Sequence, residues 1–510
     1  AYTLSNLEIA GADADNYVLA TGRTATGNGT INPYALTLGF TGVDKVYNGT
    51  TIASVTVTDN RIAGDVITLT PSATFANKNV GTSKVVTVSN VVLGGTDSAN
   101  YSLSNSSGTA SATITQLASV TWTGNGGNLN WFDPANWDGA VPDLANVASV
   151  VIPSGVDVVF DTSAATGLAE TGTVNLTSVG SLGSLTMAAG SLAVGSGGLN
   201  LAGLTQGGGT LSALGAVNVG SLAQTGGTLA ASGALTVTSG FTQGTSGSVT
   251  VGGNASITDT SGGTSLGNLS VTGTLGINST AGAITQAAGS TITAGGATSL
   301  LAYDGSTSYF DVTLNGIAND FGSAVSVTAD NVLLTDTNNL TLAATTTSGD
   351  LTVNTGAALS LSSNVTVGGN AALDATGAVV QTGGTLAVTG TTALEAGTNI
   401  SLSEATNSFG GAVAVSGATD VDLVSTGGIT LGAVATTGGL SVTAVTGNVG
   451  LSGVVSVASL SAVSTAGAIT QSGGSVAVTT GVTNLTAATD IALSQSSNDF
   501  ASTVNATGRD

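Results

Sequence analysis

Basic residues and cysteine are missing from most of this chain. No lysine, arginine, histidine or cysteine occurs between Val85 and Gly508. The absence of cysteine excludes disulfides, thiolate metal sites and cysteine nucleophiles. Nucleic-acid binding depends on clustered Lys and Arg that neutralise phosphates, so we expect no nucleic-acid partner. A basic helix lying on a membrane surface is excluded for the same reason.

Aromatic and charged residues are also scarce, at 4% and 7% of the 510 residues, whereas 41% are hydrophobic. The chain can therefore bury a core, although one built from small side chains. No run of about 20 apolar residues predicts a membrane-spanning helix. The charge is unevenly distributed along the chain. Residues 1–119 contain five basic and seven acidic side chains, a net charge of −2, whereas residues 120–510 contain one basic and 21 acidic side chains, a net charge of −20.

The segment Ala1–Ala20 contains Glu8, Asp13 and Asp15. It lacks the basic region followed by an apolar run that is typical of a secretory signal peptide. The chain also begins and ends abruptly. We therefore expect an internal piece of a longer protein.

Two similar phrases lie near the start, GADADNYVLA at Gly11–Ala20 and GTDSANYSLS at Gly95–Ser104. Their spacing predicts that 1–32 is the end of one module and 33–116 a complete second one. Apolar and polar residues alternate within the second module, for example in Ser54–Thr58 and Val66–Thr70. Period two with Val, Thr and Ile is typical of half-buried strands, so we predict an antiparallel, Ig-like β-sandwich.

This module resembles the YDG domain of large bacterial surface proteins. The resemblance rests on Asp44–Thr51, on Phe75–Thr82 and on the Asn100-Tyr101 phrase, with Asn48 where the family usually has Asp. The family is a spacer in exoproteins and has no known catalytic residues, so the resemblance implies a spacer here.

All three tryptophans fall in a junction that we place at 117–165. Trp122, Trp131 and Trp137 could form a hydrophobic plug at the end of a long core, or their exposed faces could bind sugars. We favour the plug, because solenoids need caps. Similar Trp-rich phrases often precede β-helical passengers in secreted bacterial adhesins.

The rest of the chain, 166–510, is repetitive at two periods. Gln-x-x-Gly phrases begin at Gln206 and Gln224, and a related phrase begins at Gln243. A longer period of about 90 residues is superimposed on this short one. Two phrases mark it, one that ends in Gln and one of the type Asn-x-Phe. The first marker ends at Gln286, Gln381 and Gln471, and the second begins at Asn319, Asn407 and Asn498. Two markers with one period indicate duplication.

A repeat of about 19 residues suits one coil of a right-handed parallel β-solenoid, or β-helix, with Gly turns and small interior residues. About 345 residues predict about 18 coils, or roughly 85 Å at about 4.8 Å per coil. This Gly- and Thr-rich repetition resembles the shafts of filamentous-haemagglutinin-like exoproteins. The resemblance implies a secreted adhesin of Gram-negative bacteria, exported with an outer-membrane secretion partner.

Polysaccharide-cleaving enzymes also use β-helices, and they need clustered carboxylates with a second acid–base group. Asp420 and Asp422 could share one strand face, but we interpret them as solvated or turn residues. Asp133, Asp138 and Asp143 could bind one calcium ion, although turn formation is the interpretation we favour. Asn-x-Ser/Thr sequons, which chance alone yields often in such a chain, begin at Asn28, Asn48, Asn175, Asn364 and Asn484.

We therefore predict an all-β, non-enzymatic structural or adhesive protein of the bacterial cell surface, with no cofactor, no metal and no catalytic residues. Its partners would be a host or neighbouring cell surface, glycans or matrix, or further copies in a fibre. Two alternatives stay open: a surface-layer or matrix protein that assembles laterally, and a carbohydrate-active β-helix enzyme.

Overall fold

The computed structural model describes residues 1–19, 23–143, 146–151, 158–160, 173–176, 178–179 and 182–509. The chain divides into two compact units, Ala1–Leu117 and Ala118–Asp510. The described residues are almost entirely β-structure, with three short 3₁₀ helices at Ala14–Asn16, Ser98–Asn100 and Pro134–Asn136. None of the helices in these ranges is long and apolar enough to cross a bilayer.

The described residues of the first unit form ten strands. They are β1 (Tyr2–Ser5), β2 (Thr24–Gly27), β3 (Tyr34–Leu36), β4 (Leu38–Val43), β5 (Lys45–Val46), β6 (Ser54–Asp59), β7 (Thr68–Phe75), β8 (Gly81–Gly94), β9 (Tyr101–Leu103) and β10 (Gly108–Thr115). A sheet in the order β5-β10-β8-β7 is accompanied by the pairs β3-β9, β4-β6 and β1-β2. Alternate residues of these strands, among them Leu36, Phe75, Val86 and Ile114, are buried.

Two pairs in this unit are parallel, β3 with β9 and β5 with β10, whereas the sequence predicts only antiparallel pairing. The chain between β3 and β9 contains β4 to β8, and the chain between β5 and β10 contains β6 to β9. A connection of that length allows the chain to return in the same direction, which a tight hairpin does not. The β-rich module is therefore as predicted, but its sheets are mixed.

The second unit begins with short strands and continues as a parallel β-solenoid of about 16 coils from residue 184 onward. The strands before and within the first coils are β11 (Val120–Thr121), β12 (Ser149–Val151), β13 (Val158–Phe160), β14 (Thr173–Leu176), β15 (Ser178–Val179), β16 (Leu182–Met187), β17 (Ser191–Val194), β18 (Leu199–Gln206), β19 (Thr210–Ala213), β20 (Val217–Gln224), β21 (Gly227–Ala231), β22 (Leu235–Gln243), β23 (Gly247–Val251), β24 (Ala255–Asp259), β25 (Thr264–Leu266), β26 (Asn268–Val271), β27 (Leu275–Ser279), β28 (Ile284–Gln286), β29 (Ile292–Ala294) and β30 (Thr298–Ala302).

The following coils contain β31 (Val312–Leu314), β32 (Asp320–Phe321), β33 (Val325–Ala329), β34 (Val332–Asp336), β35 (Leu340–Thr347), β36 (Leu351–Thr355), β37 (Leu359–Leu361), β38 (Val365–Val367), β39 (Ala371–Ala375), β40 (Val379–Gln381), β41 (Leu386–Val388), β42 (Thr392–Ala396), β43 (Ile400–Leu402), β44 (Ser408–Phe409), β45 (Ala412–Ser416), β46 (Val421–Ser425), β47 (Ile429–Ala435), β48 (Gly439–Ala444), β49 (Val449–Leu451), β50 (Val455–Val457), β51 (Ser459–Ser464), β52 (Ile469–Gln471), β53 (Val476–Val478), β54 (Thr483–Ala487), β55 (Ile491–Ala492), β56 (Asp499–Phe500) and β57 (Val504–Thr507).

Strands of neighbouring coils pair in parallel and in register. β39 pairs with β42, β40 with β43 and β41 with β44, so one coil contributes three strands to three ladders. The long strands β35 and β47 pass around a corner, and each pairs with two strands of the next coil. Each coil therefore supplies the backbone partners of its neighbours, as the sequence predicts.

Inward and outward residues alternate along the strands of the solenoid. In β36 and β39 the inward residues Leu351, Val353, Ala371 and Leu373 are 0–2% exposed. This alternation follows from the two-residue repeat of a strand, with apolar side chains facing the narrow core. The predicted start of the repeat at 166 lies outside the described residues.

Coil length varies, whereas the sequence predicts a single period of about 19 residues. Partners in register on successive coils are Leu204 and Leu222 in a short coil, and Ala372 and Ala393 in a longer one. The interval from Thr285 to its partner Thr313 is longer still. The predicted count of about 18 coils began at residue 166, whereas about 16 coils are counted from residue 184 onward. The later starting residue and the longer coils together account for the lower number.

Candidate functional site

Each repeat of about 90 residues contains one amide pair, which is fully inside the wall at Gln381 and Asn407 and partly buried in the other two repeats. In the first pair, Gln286 Nε2 donates to Asn319 Oδ1 at 2.7 Å, and Asn319 Nδ2 donates to Gln286 Oε1 at 2.9 Å. The same reciprocal bonds join Gln381 to Asn407 at 2.8 and 2.7 Å, and Gln471 to Asn498 at 2.9 and 2.8 Å. The two markers that the sequence shows separately are therefore the two halves of one interaction.

The asparagine of each pair also joins backbone groups of adjacent strands. Asn407 is fully buried, its Oδ1 accepts the N–H of Leu386 at 2.8 Å, and its Nδ2 donates to the carbonyl of Leu402 at 3.1 Å. Buried polar groups are costly unless they are hydrogen-bonded, and these amides have partners for both their donor and acceptor atoms. The repeated motif therefore has a structural role, because its amide groups join strands of adjacent coils.

The first three Gln phrases form a continuous buried ladder. Gln224 Nε2 donates to Gln206 Oε1 at 3.0 Å, and Gln243 Nε2 donates to Gln224 Oε1 at 3.0 Å. All three side chains are 0–1% exposed. Because each amide spans the distance to the next coil, this ladder fixes the vertical register of those coils.

Asn and Asp side chains form a second kind of ladder on the outside corners. Asp311 Oδ1 accepts the N–H of Asn331 at 3.1 Å, Asn331 Oδ1 that of Asp350 at 2.9 Å, and Asp350 Oδ1 that of Asn370 at 2.7 Å. A glycine beside this ladder is required, since a Cβ on Gly369 would lie 2.3 Å from Asp350 Oδ1. The Gly-rich corners therefore leave room for side chains that cap the next coil.

Asp420 belongs to a ladder of the same kind. Its N–H donates to Asn399 Oδ1 at 3.2 Å, and its Oδ1 accepts the N–H of Gly439 at 2.7 Å. Asp420 is exposed and lies in a bend before β46, which agrees with its interpretation as a solvated or turn residue. Asp422 lies on the outward face of β46, so the two carboxyl groups do share one surface.

That surface is a shallow groove of about 540 Å³ along the outside of the solenoid, which we call the polar groove. Its floor is a column of outward residues in register on successive coils: Ser401, Asp422, Ser441, Ser461 and Asn484. Hydroxyl, carboxylate and amide groups therefore repeat at about 4.8 Å along the axis. Among the described residues that line the groove none is basic, so the charge that they offer is negative, and apolar side chains such as Val482 line the groove beside the polar column.

The tryptophans form a compact buried cluster. Trp122, Trp131 and Trp137 are 4%, 0% and 5% exposed, and their rings meet edge to face with centroids 5.2 and 5.0 Å apart. The indole N–H of Trp131 donates to Pro142 O at 2.9 Å, and that of Trp137 donates to Trp131 O at 2.7 Å. This geometry favours the plug over the sugar platform, because the ring faces are covered.

The three aspartates near this cluster are not drawn together around a common point. Asp133 accepts from Ala135 N and from Asn128 Nδ2, Asp138 accepts from Thr121 N, and Asp143 accepts from Asn146. The Asn128 side chain lowers the pKa of Asp133. Across the described ranges no group of three or more Asp, Glu, His or Cys side chains could hold a metal ion.

The sequons occupy different surroundings. Asn28 is exposed, Asn48 Oδ1 accepts from Lys45 Nζ at 3.0 Å, and Asn364 Oδ1 accepts the N–H of Thr385 at 3.0 Å. Asn484 lies in the polar groove, where its Oδ1 accepts from Asn505 at 2.9 Å. The side chain of Asn175 lies outside the described residues.

A projecting hairpin went unnoticed in the sequence. Tyr303 and Tyr309 stack with ring centroids 4.5 Å apart, and the N–H of Phe310 donates to Ala302 O at 2.9 Å to close its neck. Asp304 Oδ1 accepts the N–H groups of Ser306, Thr307 and Ser308, which hold the pKa of this carboxyl well below its usual range. The signal available in the sequence was the interval between the two markers, which is longer from Gln286 to Asn319 than from Gln381 to Asn407.

Among the described residues of the solenoid, the carboxyl groups of Asp259 and Asp336 lie inside the wall. Asp336 is 2% exposed and accepts the N–H of Phe321 at 2.8 Å and that of Asn338 at 2.8 Å. Burial raises the pKa of Asp336, although the two N–H donors oppose this shift.

Comparison with known protein families identifies two regions. A family model of the YDG domain matches residues 32–124, which supports the resemblance drawn from Asp44–Thr51. A family described as repeats of unknown function (DUF5649) matches 252–328, 329–380, 361–416 and 453–507. No curated protein and no solved structure matches the chain. The chain therefore contains a YDG domain, followed by repeats of a family whose function is unknown.

Proposed function

We propose that this protein is a structural and adhesive part of a large secreted bacterial surface protein, of the filamentous-haemagglutinin-like kind. The observation that carries this proposal is the solenoid itself, in which buried amides and corner carboxylates stack coil on coil. Side chains that could serve chemistry, such as Gln381, Asn407 and Asp420, are used to hold neighbouring coils together. Such an element provides length and a repeated surface.

The proposed location is outside the cell, on the bacterial surface. The absence of cysteine is compatible with an oxidising space, because no thiols can mispair there. The negative charge of the repeat region favours solubility and keeps neighbouring shafts apart. Export would use an outer-membrane secretion partner, as in the exoproteins that the repeats resemble.

The proposed contact surface is the polar groove between Asn399 and Asn484. Its hydroxyl, amide and carboxylate groups repeat on successive coils and can make many similar hydrogen bonds to an extended polar partner, such as a glycan or a matrix polymer. Each contact is weak in water, and their number along the shaft supplies avidity. No turnover is involved in this mechanism.

Beads coated with the full chain provide a test. We expect them to adhere to cells or to immobilised polysaccharide, and we expect Ser441→Lys, which places a long side chain on the groove floor, to reduce adhesion. Thr366→Lys, at an exposed outward position of β38, is the matched control and should leave adhesion unchanged.

Three results would count against the proposal. Equal adhesion of the two variants would show that the polar groove is not the contact surface. Cleavage of a polysaccharide, lost in Asp420→Asn or Asp422→Asn, would establish the enzyme alternative. Ordered sheets or filaments formed by the purified chain without any receptor would establish the surface-layer alternative.

A further inference from the structure

The polar groove concentrates its charge at the level of one coil. Among its described lining residues only Asp420 and Asp422 carry a charge, and they lie on either side of Val421. The floor positions in register with Asp422 on the coils before and after it are neutral: Ser401, Ser441, Ser461 and Asn484. A polymer that lies along the axis therefore meets one negative level between neutral, hydrogen-bonding levels.

The groups at and beside this level are free to bind a ligand. Within the described part of the chain, no hydrogen bond or ion pair engages the carboxylate of Asp422 or the hydroxyls of Ser401 and Ser441. Asp420 uses its Oδ1 to accept the N–H of Gly439, whereas its Oδ2 has no hydrogen-bond partner among the described residues. Because no basic residue occurs between Val85 and Gly508, no neighbouring coil can supply a cation to these carboxylates.

The groove is open beside the two carboxylates. Gly439 lies one coil after Asp420 and has no side chain to fill the corner. A Cβ at this position would lie 2.9 Å from Ser459 Oγ and 3.6 Å from Asp420 Oδ1. The side chains of Asp422 and Ser441 are only half-buried, so a ligand can reach them from the solvent side. This corner therefore leaves space for a ring next to the negative level.

The charge pattern distinguishes between classes of polysaccharide. An anionic polysaccharide would place like charges against Asp420 and Asp422, which costs free energy. A wholly neutral one would pair with the serine hydroxyls and leave the carboxylates without a cation. A primary ammonium group has three N–H donors, and its hydrogen bonds to a carboxylate are roughly twice as strong as neutral ones. An amino group on the polymer therefore adds the interaction that the groove lacks.

The neutral floor positions favour a sugar polymer over a basic peptide. Hydroxyl and amide groups repeat along the column at about 4.8 Å, and they pair with the hydroxyl groups of successive sugar rings. The methylene stems of lysine side chains would leave most of these groups without a partner. The combination of one negative level with several hydroxyl levels matches a chain that carries both hydroxyl and amino groups.

We propose that the polar groove binds a linear polysaccharide with free primary amino groups. One ammonium group lies on Asp422 and donates also to a serine hydroxyl of the adjacent coil, Ser401 or Ser441. Hydroxyl groups of the neighbouring sugar rings bind the remaining floor positions. This inference rests on the proposed adhesive function and names the class of glycan that the groove selects.

The test measures binding of the full chain to an immobilised linear oligomer of glucosamine and to the same oligomer after complete N-acetylation. We expect about tenfold tighter binding of the free amine form, a preference that declines as salt is added, and no binding to a linear polyuronate. Asp422→Asn should remove this preference and leave binding of the acetylated oligomer unchanged. Asp499→Asn, which removes the same charge at an exposed position of β56, is the matched control and should retain the preference.

Circular dichroism of each variant checks that the solenoid is intact. Equal binding of the two oligomers by a chain that adheres to cells would overturn this inference and leave the adhesive function standing, whereas absence of adhesion to any cell or polysaccharide would overturn both. An equal loss in Asp422→Asn and Asp499→Asn would assign the preference to the overall negative charge and overturn the site. Tighter binding of a lysine-rich peptide of equal charge would assign the groove to a basic protein instead.

Discussion

At the scale of single residues, hydrogen-bonding capacity decides which polar side chains the solenoid core accepts. The buried amides of Gln381 and Asn407 satisfy each other and two backbone groups. Four inward threonines have buried hydroxyl groups with no hydrogen-bond partner among the described residues: Thr264, Thr298, Thr392 and Thr483. Stability at this scale therefore depends on pairing more than on polarity.

Removing one member of an amide pair should destabilise the solenoid locally. Gln381→Ala leaves the buried Asn407 amide without its partner, and we expect a loss of about 2 to 3 kcal/mol. Hydrogen exchange in β40 and β43 measures it. The double variant Gln381→Leu with Asn407→Leu should recover part of the loss, and the exposed Thr366→Ala should change stability by less than about 0.5 kcal/mol. Equal stability of Gln381→Ala and the native chain would contradict the assignment.

Replacing one of the unpartnered threonines should increase stability. Thr392→Val replaces a buried hydroxyl with a methyl group of nearly the same shape, and we expect a gain of about 1 kcal/mol from removing an unsatisfied polar group. Denaturant unfolding of the two proteins measures it. Thr391→Val, whose hydroxyl bonds to Asn370 Oδ1 at 2.8 Å, is the matched control and should not stabilise.

The pKa of Asp336 predicts a pH dependence. Burial raises this pKa in the folded chain, so the folded chain binds more protons than the unfolded chain above about pH 4. The contribution of Asp336 to the free energy of unfolding is therefore greatest below about pH 4, and it falls as pH rises through the folded-state pKa. Unfolding measured from about pH 3.5 upward should show this decline, and Asp336→Asn should flatten it. An identical pH profile in the variant would contradict the assignment.

At the scale of elements, each strand is short and depends on its neighbours. The amphipathic alternation of β36 or β39 appears plainly in the sequence, because the side-chain period of a strand is two. The segment around the tryptophan cluster has no such alternation, and its very short elements bury little apolar surface of their own. Its rings and indole N–H groups hold β11 and the Pro134–Asn136 helix together.

Trp131 should therefore dominate the stability of this segment. Trp131→Ala removes a fully buried ring and the bond to Pro142 O, and we expect a loss of about 3 to 5 kcal/mol in local stability. Proteolysis between 118 and 143 and tryptophan fluorescence measure the opening. Leu129→Ala, at a position 49% exposed, is the control and should behave as the native chain. If Trp131→Ala abolished adhesion while the segment stayed folded, the result would support the alternative that the tryptophans bind sugars.

At the scale of the whole solenoid, coils behave as interchangeable layers. β36 and β39 pair with one constant offset at every position, and β37 and β40 share that offset. Stability in such an array is a sum of coil and interface terms. The solenoid should accordingly tolerate the loss of one whole coil but not of part of one.

Deletion of residues 351–370 tests this directly. It removes one coil and no amide pair, and it joins Asp350 to Ala371 so that β39 takes the place of β36. We expect a soluble protein with unchanged circular dichroism per residue and a solenoid shorter by about 5 Å in electron micrographs. Deletion of residues 351–360 breaks the register of the inward residues and should give aggregates. Equal behaviour of both deletions would contradict the layered architecture.

The sequence by itself determined the fold class, the YDG domain and the existence of a repeat, because strand period, turn glycines and motif spacing are local properties. Tertiary structure decided which distant residues meet. Gln381 and Asn407 are 26 residues apart, and only the coil path makes them neighbours. The same holds for the parallel pairing of β3 with β9 and for Asp420 as a cap for Gly439. Each depends on a long-range contact, and the physical reason is that local preferences set the form of a strand but not the strand beside which it lies.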